Sequence, residues 1–131
     1  MENKLPEKTR FSIVSRLRST NHALRGIVVF LKTTHNAWVH IFFAILAIYL
    51  GFVLCISIIE WILIIFAIGL VILFEMINTA IEIDIDLTSP NYHPYARDTK
   101  DVAAGAVSVA VIIAGVIGIL IFLPKISIFL V

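Results

Sequence analysis

The chain has 131 residues, of which 60% are hydrophobic and only 15% are charged, and its formal net charge is +1. This composition leaves too little polar surface for a soluble domain of this length, and no Gly-x4-Gly-Lys-Ser/Thr motif is present, so a soluble NTPase fold is excluded. The length fits one domain, which we expect to be an all-α integral membrane domain spanning residues 1–131.

The basic residues are concentrated at the start of the chain. Seven of the ten lie before residue 33: Lys4, Lys8, Arg10, Arg16, Arg18, Arg25 and Lys32. Because apolar residues alternate with these cations, a membrane surface is favoured over nucleic acid as their partner. We expect a disordered tail over residues 1–10 and one or two amphipathic surface helices over residues 11–33.

Three later segments are long and apolar enough to cross a bilayer. They cover residues 39–59, 61–87 and 100–123, and residues 41–59 contain no charge at all. Glu60 predicts a very short turn, and residues 88–99 predict a polar loop, with Asp98 or Thr99 capping the last helix and Pro124 ending it. The basic N-terminal segment and the loop with Arg97 then face the cytoplasm.

The second span carries a polar stripe near its cytoplasmic end. At about 100° per residue, four side chains fall within about 80° of one another on a helix: Glu75, Asn78, Glu82 and Asp86. Ionisable groups in membrane helices are costly and usually mark a functional site. Carboxylate and amide oxygens suit a cation or a metal-bound phosphate. Lys100 and Asp101 begin the next span at the same membrane edge, which adds a group that can neutralise phosphate.

Small residues recur every fourth position in the third span, at Ala106, Ala110, Ala114 and Gly118. This spacing allows close approach of membrane helices. Since three thin helices rarely shield an acidic stripe alone, we expect oligomerisation, with packing inside one chain as the alternative.

These motifs resemble the prokaryotic diacylglycerol kinase / undecaprenol kinase family. The resemblance is densest in the run Glu75-Met-Ile-Asn78-Thr-Ala-Ile-Glu82 and the run Lys100-Asp101-Val-Ala-Ala-Gly-Ala-Val107, and it covers roughly residues 16–124. It implies a homotrimeric, multi-pass kinase of the bacterial cytoplasmic membrane that uses ATP and Mg²⁺ to phosphorylate a lipid hydroxyl at the cytoplasmic interface, without a nucleic-acid partner.

The resemblance also implies roles for individual residues. Glu75 corresponds to the general base, and Asn78, Lys100 and Asp101 to further active-site residues. Glu82, Lys100, Asp101, Arg16 and Arg18 are implied at the nucleotide, and Glu82 at the metal. Further candidates are Asp86, Asn36, His40 and His93.

One position departs from the family. The family pattern Glu-x-Asn-x-Arg-x-His reads Thr34-His35-Asn36-Ala37-Trp38-Val39-His40 here, so Thr34 stands where a metal-binding glutamate is usual. A threonine hydroxyl is a weaker metal ligand than a carboxylate, which puts the metal affinity and the activity of this chain in question.

The loop Asn91-Tyr-His-Pro-Tyr-Ala96 resembles the undecaprenol kinase branch more closely than the diacylglycerol branch. Undecaprenol is therefore the expected acceptor, and diacylglycerol is the first alternative. An ion-conducting oligomer and a non-catalytic assembly factor are the remaining alternatives. An ion path would need ionisable groups across the whole membrane depth, and residues 102–123 contain none.

Overall fold

In the computed structural model, residues 13–129 are described, with side chains from residue 18 to 128 except residue 35. Four helices follow one another: α1 (Ile13–Thr33), α2 (His35–Val53), α3 (Ile58–Thr88) and α4 (Pro94–Phe129). The described part of the chain contains no strand, and α2, α3 and α4 are each long and apolar enough to cross a membrane. The prediction of an all-α membrane fold with three spans is confirmed; the tail at 1–10 and the Arg16 side chain lie outside the described residues.

The segment before the first span is a single helix, α1, which runs through Gly26 without a break. Its Phe30 is buried, whereas the neighbouring residues from 21 to 29 are exposed. A cavity of about 380 Å³ separates α1 from α3 and is lined by Phe30, Met76 and Thr79 among others. Only Thr34 intervenes between α1 and α2, so the chain changes direction within one residue.

The turn between α2 and α3 lies at residues 54–57, not at Glu60 as predicted. Ile56 N–H donates to Gly51 C=O (3.1 Å) and Cys55 N–H to Phe52 C=O (3.3 Å), which is the Schellman arrangement of a helix C-terminus. Ser57 then caps α3, and Glu60 completes a reciprocal capping box, its Oε2 accepting from Ser57 N–H at 2.6 Å. Glu60 therefore belongs to the first turn of α3, because a Ser-x-x-Glu pair favours a helix start.

The limits of α4 also differ from prediction. The helix begins at Pro94, so residues 94–99 are helical rather than part of the loop, and neither Asp98 nor Thr99 is a cap. Proline suits the first helical position because its φ is fixed and its missing N–H would be unpaired there anyway. The helix also continues past Pro124 to Phe129, with the Ser127 hydroxyl donating to the Pro124 carbonyl at 2.7 Å. Proline removes the N–H that would bond the Leu120 carbonyl, and it is tolerated inside membrane helices where neighbouring groups satisfy the carbonyl that is freed.

The most extensive packing joins α3 and α4. Near the α2–α3 turn, the core consists of Ile56, Ile64, Ile121 and Phe122. At the same end, Lys125 Nζ lies 3.2 Å from Glu60 Oε2 and ties α4 to the start of α3. Of the small-residue row on α4, Ala110 is fully buried within the single chain. Part of that row therefore serves packing inside the chain.

Candidate active site

Glu75 is the most deeply buried ionisable residue among the described residues, with 2% of its surface exposed. It lies in the middle of α3, where the helix face turns toward α2. His40 of α2 is the group that meets it, with Nε2 at 3.9 Å from Glu75 Oε2. A carboxylate without such a polar partner would be strongly destabilising at this depth. Helix α2 therefore supplies a polar neighbour to the buried Glu75 carboxylate.

A cleft of about 530 Å³ opens beside Glu75 between α2, α3 and α4. Its polar wall is formed by six residues: Asn36, His40, Glu75, Asn78, Glu82 and Ser108. The apolar part of the lining comes mainly from α4, with Val107, Val111 and Ile112. The structure thus brings the predicted Glu75, Asn78 and Glu82 into one cavity, together with two of the further candidates, Asn36 and His40.

Asn78 is hydrogen-bonded to one carboxylate of the stripe and has one atom without a partner. Its Nδ2 donates to Glu82 Oε1 at 3.0 Å, which fixes the orientation of the amide. Its Oδ1 is buried and has no hydrogen-bond partner among the described protein groups. Buried polar atoms are almost always paired, so an unpaired oxygen beside a cleft is suited to a ligand donor or a cation.

The predicted residues at the end of α3 and the start of α4 form a separate group outside the cleft lining. Lys100 Nζ pairs with Asp86 Oδ1. One residue further on, Asp101 Oδ2 lies 3.6 Å from Arg97 Nε, and both side chains are about two-thirds exposed. His93 is exposed and its ring lies beside that of Tyr95, tilted by 42° with the centroids 5.6 Å apart. Arg18 is exposed on α1.

No group of three or more His, Cys, Asp or Glu side chains in the described part of the chain is close enough to hold a metal ion by itself. Mg²⁺ does not require such a group, because it commonly binds through one or two carboxylates together with substrate phosphates and water. Glu82 and the unpaired Asn78 Oδ1 form a donor set that fits this mode.

A comparison with protein families identifies the family of this chain. The model of the family described as prokaryotic diacylglycerol kinase matches residues 21–122. The chain belongs to the prokaryotic diacylglycerol kinase family. It is 44% identical over 108 residues to an undecaprenol kinase of Bacillus subtilis, covering 82% of this chain and 88% of that protein. It is 34% identical over 109 residues to a diacylglycerol kinase of Synechocystis sp., covering 82% of this chain and 62% of that protein. No solved structure matches it.

Two residues of this family member were missed by sequence reasoning. Thr79 is buried and donates from Oγ1 to the Glu75 carbonyl at 2.8 Å. Its position four residues after Glu75 places it nearly above that residue on the helix, which is a signal that could have identified it. Ser108 is the second, because it lines the cleft from α4. It lies two turns after Lys100 and is the one hydroxyl residue in residues 102–123.

Proposed function

We propose that this chain is a lipid kinase that transfers the γ-phosphoryl group of ATP to the primary hydroxyl of undecaprenol, giving undecaprenyl phosphate. Membership of the family and the identity to a protein named undecaprenol kinase support this assignment. The observation that carries it structurally is the buried Glu75 carboxylate, which forms the wall of a cleft together with Asn78 and Glu82 in a membrane-length helix. Phosphoryl transfer needs positioning and charge stabilisation at such a site.

In this proposal Glu75 is the general base. The lipid hydroxyl donates its proton to the Glu75 carboxylate while its oxygen forms a bond to the γ-phosphorus. The bond between that phosphorus and the bridging oxygen breaks, and ADP leaves with the electron pair. His40 Nε2 lies 3.9 Å from Glu75 Oε2 and is a polar neighbour of the carboxylate. A base must lie within hydrogen-bond reach of the proton that it removes, and the cleft lets a hydroxyl approach from the α4 side.

Glu82 and Asn78 Oδ1 would hold Mg²⁺, and Asn36, His40, Asp86 and His93 are further candidate site residues. Thr34 would join the metal only by giving up its hydrogen bond to Thr79. When bound, the ion neutralises charge on the phosphate oxygens. Lys100 and Asp101, with Arg16 and Arg18 of α1, are assigned to the nucleotide. Since Lys100 Nζ is paired with Asp86, nucleotide phosphate would have to share or replace that carboxylate as the partner of the lysine.

The hydrocarbon part of the acceptor has an adjacent place to lie. An apolar groove of about 340 Å³ continues from the cleft, with which it shares His40 and Val111, and reaches Phe122. A lipid whose hydroxyl enters the cleft can therefore keep part of its chain against α2, α3 and α4. Burial of hydrocarbon in such a groove holds the hydroxyl near the depth of Glu75.

We further propose a homotrimer in the bacterial cytoplasmic membrane, with the N-terminus and the α3–α4 loop on the cytoplasmic side. The excess of Lys and Arg before residue 33 supports this orientation. The cleft opens on the surface of the single chain, which supports a shared boundary with a neighbouring subunit.

The second candidate acceptor is diacylglycerol, favoured by the relative of that name in Synechocystis sp.. Purified protein in micelles doped with either lipid would be given γ-labelled ATP, with and without Mg²⁺. We expect Mg²⁺-dependent label in undecaprenol. Label in diacylglycerol alone would assign the other branch, and no label in either lipid with the oligomer intact would contradict the kinase assignment.

A further inference from the structure

Thr34, the residue that departs from the family, does not use its side chain as a helix cap. It occupies the N-cap position of α2, with φ −106° and ψ 110°, yet it makes no side-chain capping hydrogen bond. Threonine at this position normally accepts a hydrogen bond from one of the first free backbone N–H groups of the helix. Its hydroxyl is directed at another element instead.

That other element is α3, at the turn that carries Glu75. Thr34 Oγ1 lies 2.7 Å from Thr79 Oγ1, and Thr79 Oγ1 donates to the Glu75 carbonyl at 2.8 Å. A hydroxyl has a single proton, and the Thr79 proton is already committed to the Glu75 carbonyl. The Thr34 proton must therefore supply the bond between the two hydroxyls. Thr34 therefore donates a hydrogen bond to Thr79, and Thr79 donates one to the backbone carbonyl of Glu75.

We propose that Thr34 and Thr79 form a hydroxyl tether that sets the position of α2 relative to α3, and that Thr34 is a positioning residue for Glu75. The tether lies about 9 Å along α2 from His40 and about 6 Å along α3 from Glu75, at 1.5 Å per residue. Because the two helices run in opposite directions, the tether and the His40–Glu75 contact are successive links across one helix pair. A shift at the tether changes the distance between His40 and Glu75.

The competing interpretation treats Thr34 as a replacement metal ligand at the position of the family's usual glutamate. The two interpretations predict different partners for the same hydroxyl. A metal ligand acts through Mg²⁺ and does not depend on Thr79. A tether acts only together with Thr79, which is 3% exposed and lies within α3.

This inference rests on the proposed kinase function. Two measurements, transfer kinetics and reversible unfolding, distinguish a failure of the inference from a failure of the proposed function. The variants are Thr34→Val, Thr79→Val, the double variant, Thr34→Ser and Thr79→Ser, because valine keeps the shape of threonine and serine keeps the hydroxyl. Thr33→Val is the matched control, since the Thr33 hydroxyl is exposed and bonds only within α1, to Val29 C=O at 2.8 Å. Transfer kinetics with Mg²⁺ titration are measured beside reversible unfolding in mixed micelles.

Each valine variant is expected to lower kcat about tenfold through misplacement of Glu75, with the Mg²⁺ half-saturation and the KM for ATP unchanged. The double variant should be no slower than either single one, both serine variants should retain activity, and Thr33→Val should match the parent protein. A higher Mg²⁺ half-saturation in Thr34→Val but not in Thr79→Val would overturn the tether. So would a double variant whose loss of kcat is the product of the two single losses, or an unchanged kcat in both single valine variants.

Reversible unfolding tests the tether even if the parent protein phosphorylates neither lipid. Non-additive destabilisation by Thr34→Val and Thr79→Val supports the tether without reference to catalysis, because coupled residues fail additivity. Additive effects overturn it.

Discussion

Glu75 and Asn78 are arranged in a way that costs stability. Glu75 is buried, with His40 as its ionisable contact, and Asn78 Oδ1 is buried without a hydrogen-bond partner among the described residues. Leaving a buried polar atom unpaired costs about 1–3 kcal/mol. Such costs are typical of sites where an unpaired atom binds a ligand. We therefore expect substitutions at Glu75 and Asn78 that maintain or raise stability to lower activity.

Replacing Asn78 with leucine tests this opposition. The substitution removes the unpaired Oδ1 and also the donor to Glu82 Oε1, while it keeps the number and branching of the side-chain heavy atoms. Phosphoryl transfer should fall about 100-fold, a size common for lost active-site electrostatics, while the unfolding midpoint in mixed micelles stays the same or rises. Ile77→Leu, at the adjacent exposed position, is the control. A less stable variant with unchanged transfer would show that Asn78 is structural.

At the level of elements, the α2–α3 turn combines a Schellman C-terminus of α2 with a capping box at the start of α3. Cys55 adopts φ +49°, a left-handed conformation that glycine adopts without steric cost and that other residues rarely adopt. Gly51, one turn earlier, is buried against Trp61 and Ile56: an added Cβ would lie 2.8 Å from the Trp61 ring. Introducing glycine at position 55 should therefore stabilise the protein, whereas replacing the glycine at position 51 should destabilise it.

Cys55→Gly should stabilise the protein by up to about 1 kcal/mol, because it relieves the left-handed strain. The unfolding midpoint in mixed micelles measures this, with Cys55→Ala as the control that removes the thiol and keeps the strain. Equal midpoints for the two variants would show that the turn stores no strain at this residue.

Gly51→Ala should destabilise by about 1–3 kcal/mol, the usual cost of overpacking. The Cβ would force Trp61 away from its packing with Phe52, whose ring centroid is 4.8 Å from that of Trp61. Gly69→Ala is the matched control, because a Cβ there meets nothing within 4 Å. Trp61 fluorescence reports on the same contact, and an unchanged midpoint and spectrum would contradict the crowding.

The elements show what sequence alone could and could not predict. Three spans followed from uninterrupted apolar runs, because hydrocarbon requires continuous helix. Helix ends were less predictable, because a charged residue between two apolar runs, such as Glu60, is compatible both with a turn and with the first turn of a helix. Pro94 is likewise compatible both with a loop and with the first helical position. Periodicity on one helix predicted that Glu75, Asn78 and Glu82 share a face. It could not predict His40 or Thr34 as partners, because the register between α2 and α3 is a tertiary property.

In the molecule as a whole, we propose that the buried Glu75 carboxylate serves phosphoryl transfer to a lipid. Three membrane-length helices surround one polar cleft, whose lining includes the proposed base Glu75 and the proposed metal donors Glu82 and Asn78. These three residues lie within residues 21–122, the part of the chain that matches the family.

The most direct measurement is transfer of labelled phosphate from ATP to undecaprenol by the parent protein and by Glu75→Gln, each in lipid-doped micelles with Mg²⁺. Glutamine keeps the shape of the side chain but cannot accept the proton. We expect Mg²⁺-dependent label with the parent protein and a loss of at least about 100-fold in kcat with the variant, while ATP binding and the oligomer persist. Comparable transfer by the two proteins would contradict the assignment of Glu75 as the base.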